Sequence, residues 1–301
     1  MPGGSFDLER GPWIGPGGAA QRSFFSPMFA RSFLFCGPAL LAAVVSLASG
    51  GERAAEGRGG AALPQFPAEL YARLSEATRP QWRQLYRPTV TRCLEGRQQA
   101  AMGLGAVGAD LFLAAQARDS QQIRNLLQDE ETIEKTLGLI EPMAGLRTEV
   151  LGAAEQGDWK RLGAGIEKLS AGQRRHLRSQ KDEPLADLVY IGQWLRALQT
   201  CHAVVMARQL SDQRLAIGDP ALLVEMTRRL QALGEPDSNR CLRLLHKRLA
   251  GLVRLWPEDS SPVPDPADRL RRSAELLSDT VDRLIQEKES AAAGILAAPK
   301  P

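Results

Sequence analysis

Gly103-Leu-Gly105-Ala-Val-Gly108 spells G-x-G-x-x-G, the pattern with which a strand-to-helix turn brings backbone N–H groups up to a dinucleotide pyrophosphate. That chemistry needs a strand just upstream, and residues 90–102 carry the periodicity of a helix instead. The expectation is therefore packing rather than nucleotide binding. A helix with Ala101, Gly105 and Ala109 on one face lets a neighbouring backbone come close. Each Gly costs such a helix about 1 kcal/mol relative to Ala, so close contact must compensate.

Asp110 follows on the same segment, with Ala106, Val107, Leu113 and Ala114 as helical neighbours and no basic residue on its face. If buried, it needs a cation from another helix or a shifted pKa. The expectation is a structural pair with an arginine; the functional alternative is a carboxylate in an interhelical pocket. His202 continues the stripe Leu188, Ile191, Leu195 and Leu198, and reads first as a hydrogen-bonded core histidine. Asp110, Trp194 and His202 are nevertheless the candidate ligand-binding residues, provided they converge.

Cys201 adjoins His202, but successive helical residues point about 100° apart and cannot readily share a metal. Cys241 and His246 are also badly spaced, and with only three histidines no metal site and no cofactor is expected. Cys201 with Cys241 is the candidate disulfide if the chain matures in an oxidising compartment; a buried free thiol is the commoner fate. There is no G-x-S-x-G elbow and no Walker loop, and the acids of Asp129-Glu-Glu131 and Glu258-Asp259 read as solvated charge. Arg240, Arg243, Lys247 and Arg254 recur at helical spacing opposite a stripe from Leu242 to Trp256. Such a face could meet an anionic surface or an acidic protein.

The elements that must carry these residues are helical throughout. Apolar residues repeat at spacings of three and four: Trp159, Leu162, Ile166 and Leu169 form one stripe, and Leu223, Met226, Leu230 and Leu233 another. Leu270, Ala274, Leu277, Val281 and Leu284 form a third. Asp219-Pro220 and Asp265-Pro266 each predict an N-cap ahead of a first-turn proline. Ser170-x-x-Gln173 resembles a capping box, with breaks near Pro142, Gly157, Gly172, Gly218 and Gly234. Short connections favour antiparallel neighbours.

Ahead of this body, residues 1–18 hold six Gly and three Pro, and residues 1–27 read as a disordered leader that translation from Met28 would omit. Residues 28–48 carry a basic residue, Arg31, then the apolar run from Phe33, and end with small residues at Ser46 and Ala48. That is the three-part pattern of a signal peptide, with a hydrophobic anchor as the alternative. At about 1.5 Å per residue the run is short for a permanent span.

The 301 residues are 44% hydrophobic, too apolar for a chain disordered throughout, and four cysteines are too few for a disulfide-stapled miniprotein. The net charge of +3, with signs interspersed, implies no nucleic-acid partner. No series of long apolar runs is present, so polytopic membrane insertion is not expected.

The expected fold is all-α, a mostly antiparallel multi-helix bundle of eight to nine helices. Residues 49–65 form a Gly/Ala-rich linker, 66–256 the bundle, 257–266 a Pro-rich linker, 267–289 a C-terminal amphipathic helix and 290–301 a disordered tail. The expected function is a non-enzymatic binding or scaffolding role at the cell envelope, for a periplasmic or secreted protein meeting a protein partner or an anionic envelope surface. The alternatives are a helical small-ligand-binding or catalytic domain with a pocket near Asp110, Trp194 and His202, and an anchored or cytoplasmic location.

Overall fold

Every residue from Ala100 to Ala114 is buried, in a helix whose residues are almost all small or aliphatic. A helix apolar on all sides belongs at the centre of a bundle. In the computed structural model, which describes residues 64–87, 96–234, 240–257 and 265–284 (without the side chains of Arg240, Cys241 and Leu284), this segment is α2, Gly96–Gln116. The leader, the signal-like segment, the C-terminal tail and most of the linkers expected at 49–65 and 257–266 (residues 49–63 and 258–264) lie outside the described residues.

The remaining helices are α1 (Ala68–Thr78), α3 (Ser120–Leu137), α4 (Ile140–Glu155), α5 (Trp159–Ser179), α6 (Glu183–Arg208), the single turn α7 (Arg214–Ile217), α8 (Ala221–Gln231), α9 (Arg240–Leu255) and α10 (Pro266–Leu284). A 3-10 turn spans Trp82–Leu85. The described residues contain no strand, and the fold is an all-α bundle.

Two- and three-residue turns join α2 through α6 in antiparallel succession. Asp119 caps α3 through the Gln122 N–H at 3.0 Å, and Asp158 caps α5 through the Arg161 N–H at 3.0 Å. Asp265 caps α10 ahead of Pro266 as expected, accepting from the Ala267 N–H at 3.0 Å, whereas α8 begins at Ala221 with Pro220 as its N-cap, and Asp219, one residue earlier, accepts from the Ala221 N–H at 2.9 Å. Gly138 at φ 74° and Gly157 at φ 68° close two of the turns in the left-handed region that side chains resist.

The capping box expected at Ser170 is not one. Ser170 and Gln173 lie mid-helix in α5, both buried, and Gly172 breaks nothing. Their polar groups serve contacts between helices, because the stripe Leu162, Ile166, Leu169 and Leu177 runs through them uninterrupted and fully buried.

The most extensive packing is between α2 and α6. A Cβ on Gly105 would lie 2.6 Å from the Gln193 backbone nitrogen, and closer still to the Val189 carbonyl oxygen. One on Gly192 would lie 2.8 Å from the Met102 Cα, with the Met102 carbonyl oxygen nearer. The small-residue face thus brings two backbones into contact, as the glycine spacing implied. Met102 meets Gly192 while Asp110 meets Arg196, so α2 and α6 run in the same direction. The other helices surround this pair, and α10 packs on both α6 and α9.

Candidate functional site

Asp110 is buried near the C-terminal end of α2, held between two guanidinium groups. Arg87, just after the 3-10 turn, reaches Oδ2 with Nε at 2.7 Å and Nη2 at 2.5 Å. Arg196 of α6 donates from Nε to Oδ1 at 2.7 Å. Its other nitrogens donate to the Leu85 carbonyl at 2.6 Å and to Gln199 Oε1 at 2.7 Å. All the carboxylate's charge is therefore directed at two arginines from other elements. The cluster ties the 82–87 segment to the central helix pair and presents no free carboxylate to a substrate.

His202 is also buried. Its Nδ1 lies 2.8 Å from the Leu198 carbonyl oxygen, and its ring meets Trp256 edge-on at 6.1 Å. Burial pushes its pKa down to about 4, which keeps the imidazole neutral. Cys201 is a free thiol rather than half of the disulfide considered with Cys241, whose side chain lies outside those described. It is fully buried in the core, and desolvation pushes its pKa up.

The acids of Asp129-Glu-Glu131, expected to be solvated, are not alike. Glu131 is exposed, whereas Glu130 is completely buried, as is Glu134 one turn later. The Gln173 amide of α5 donates to both, at 2.7 Å and 2.9 Å, and Arg147 of α4 pairs with Glu134. Two carboxylates thus face one arginine, and Glu130 Oε2 has no hydrogen-bond partner. Desolvation, reinforced at Glu130 by its neighbour's charge, raises both pKa values, so the pair holds a proton near neutrality. Beside it, Arg174 donates to Gln193 at 3.2 Å and stacks over Phe66 at 5.0 Å. Reading by residue type alone missed this layer. The available signal was that Glu130 and Glu134 fall on the stripe Ile123, Leu127 and Leu137, at helical spacing.

Trp194 is fully buried yet lines a cleft of about 1100 Å³, which opens between α1, α6, the α7–α8 region and the start of α10. Asp110 and His202 are not on its walls, so the three candidates do not converge; His202 stands one layer back, behind Trp256. The lining includes Leu70, Ile217 and Trp256, with Arg269 over the Trp256 ring at 4.1 Å.

The basic face is solvent-facing. Arg243, Lys247 and Arg254 are exposed on one arc of α9, while Leu242, Leu245, Leu249, Leu252 and Trp256 are buried beneath it. No acid lies between Arg240 and Leu255, and none of these three forms an ion pair among the described residues. Other exposed arginines are paired, Arg228 with Glu225, Arg271 with Asp268 and Glu275, and Arg283 with Asp279, whereas Arg208 and Arg214 form no ion pair among the described residues. Arg248, on the flank of α9, pairs with Asp279.

No helix among the described residues is long and apolar enough to cross a membrane. No protein-family model matches the chain, and comparisons with curated proteins and with solved structures find no match.

Proposed function

We propose that this chain is an exported helical protein with a non-enzymatic binding role, docking on the anionic surface of the cell envelope through α9. The carrying observation is the arc of Arg243, Lys247 and Arg254, exposed and without acidic partners among the described residues, on a helix whose other side is firmly seated in the bundle. Near an anionic surface each basic residue contributes about 1 kcal/mol, so three contribute about 3 kcal/mol, or about a hundredfold in partitioning. Export is supported by the basic, apolar and small-residue succession from Met28 to Ala48. A non-catalytic role is supported by the use of two of the buried carboxylates: Asp110 and Glu134 are occupied by arginines.

Cosedimentation of the full chain with phosphatidylglycerol and phosphatidylcholine vesicles tests the reading. Binding should be confined to the anionic vesicles, weaken at high salt, and disappear in the R243E/K247E variant. Binding to anionic vesicles that survives the reversal refutes it, as does equal binding to neutral ones. Cell fractionation with intact-mass analysis tests export: the exported fraction should hold a chain beginning near Ser49.

A further inference from the structure

Arg269 is a partly buried cation without a counter-ion among the described residues. It lies on the wall of the large cleft, stacked on Trp256, and its Nη2 donates only to the neutral amide of Gln213 at 3.1 Å. Its Nε is buried with no partner, and among the described residues it forms no ion pair. Desolvation accordingly lowers its pKa. Taking a charge out of water without a counter-charge is costly, and the same low dielectric makes an incoming anion bind more strongly.

Another donor on the same walls, the Nε1–H of the buried Trp256, has no hydrogen-bond partner among the described residues. The cleft's acids do not answer Arg269. Asp212 accepts from the Arg214 N–H at 3.0 Å and Asp219 from the Ala221 N–H at 2.9 Å, while Glu69 and Glu76 are exposed on the α1 side. Arg73 and Arg214 also line the cleft, both exposed, and its apolar wall includes the buried Leu70, Ile217 and Leu222.

We propose that this cleft binds an amphiphilic organic anion, its apolar body against Trp194, Leu70 and Ile217 and its oxyanion head at Arg269. The head takes the counter-ion position left unfilled among the described residues, and a planar guanidinium suits a carboxylate or a phosphate monoester. This site is separate from the α9 face and does not depend on it.

Calorimetric titration of the full chain with dodecanoate, dodecyl phosphate and dodecanol provides the test. At least one of the two anions should bind saturably, about tenfold or more tighter than the alcohol; which of them is preferred identifies the head group. Arg269→Met keeps the stem over Trp256 and removes the charge, and should bring the anions down to the affinity of dodecanol. R243E/K247E should bind them as the parent does. A brominated dodecanoate should quench the tryptophan fluorescence of the unmodified chain, a readout independent of whether Arg269→Met folds. Equal binding of the three ligands, no saturable binding, no quenching, or a folded Arg269→Met that retains full anion affinity would overturn the proposal.

Discussion

Gly105→Ala puts a methyl group where the α6 backbone already is. The new Cβ would sit 2.6 Å from the Gln193 nitrogen, against 3.4 Å or more for ordinary contact, and the Val189 carbonyl is nearer still. A side chain could swing aside, but backbone atoms cannot, so α2 and α6 must part by about 1 Å over a fully buried interface. A radial gap of about 1 Å forfeits about a quarter to a half of each dispersion contact. Overpacking of this kind costs about 1–3 kcal/mol, with the upper end expected where backbone is the obstacle. The better helix propensity of Ala offsets about 1 kcal/mol. A net loss of about 2 kcal/mol lowers the Tm of a domain this size by about 4–8 °C. Thermal denaturation followed by far-ultraviolet circular dichroism reads it. Gly145→Ala in α4, where a Cβ meets nothing within 4 Å, is the matched control and should raise Tm by about 2–4 °C. A Gly105→Ala protein melting at or above the parent temperature would refute the close-contact reasoning.

Three other substitutions or titrations probe the buried charges. Asp110→Ala leaves Arg87 and Arg196 buried without their shared carboxylate and should cost about 3–5 kcal/mol by urea denaturation; a cost below about 1 kcal/mol would mean that water already reaches the cluster. The Glu130–Glu134 pair acts through pH. Its folded pKa values are raised, so the native state keeps a proton that the unfolded chain releases, and stability should fall as pH climbs from 4.5 through about 8. Glu130→Gln should flatten that slope and stabilise the protein at the alkaline end, and an unchanged slope counts against the pair. His202, depressed to about 4, should keep the NMR signature of a neutral imidazole through mildly acidic pH; titration near the ordinary value of about 6.5 would show that water reaches it.

The features visible in the sequence are those that one helix carries by itself. The glycine spacing of α2 announced a close neighbour, and the alternation of Leu242, Leu245 and Leu249 with Arg243 and Lys247 fixed which side of α9 would be buried. The partner of Asp110 could be named only as an arginine, because Arg87 and Arg196 come from 23 and 86 residues away. Ser170 and Gln173 match a capping box as well as they match a buried polar pair. Only the apolar stripe continuing to Leu177 separates the two readings. Glu130 was misjudged because an acid beside other acids reads as solvent-facing, although its position on the Ile123–Leu137 stripe indicated the opposite. The cleft had no local signature at all: Leu70, Trp194, Ile217 and Arg269 come from four different helices.

The glycine crossing also determines where the buried charges can meet. From Gly105 to Asp110 is five residues, an axial rise of about 7.5 Å, and from Gly192 to Arg196 is four residues, about 6 Å. Because α2 and α6 run in the same direction, both side chains arrive at nearly the same height above the crossing and close to 2.7 Å. Two helices running in opposite directions from the same crossing would leave those residues about 13 Å apart along the axis. Small residues permit close approach in either sense; the four short reversals from α2 to α6 set the direction, and the ion pair is compatible with that direction alone. Register and charge reinforce each other at this point of the bundle. A change that parts the helices at Gly105 should weaken the Asp110–Arg196 contact as well, making Gly105→Ala and Asp110→Ala less than additive when combined.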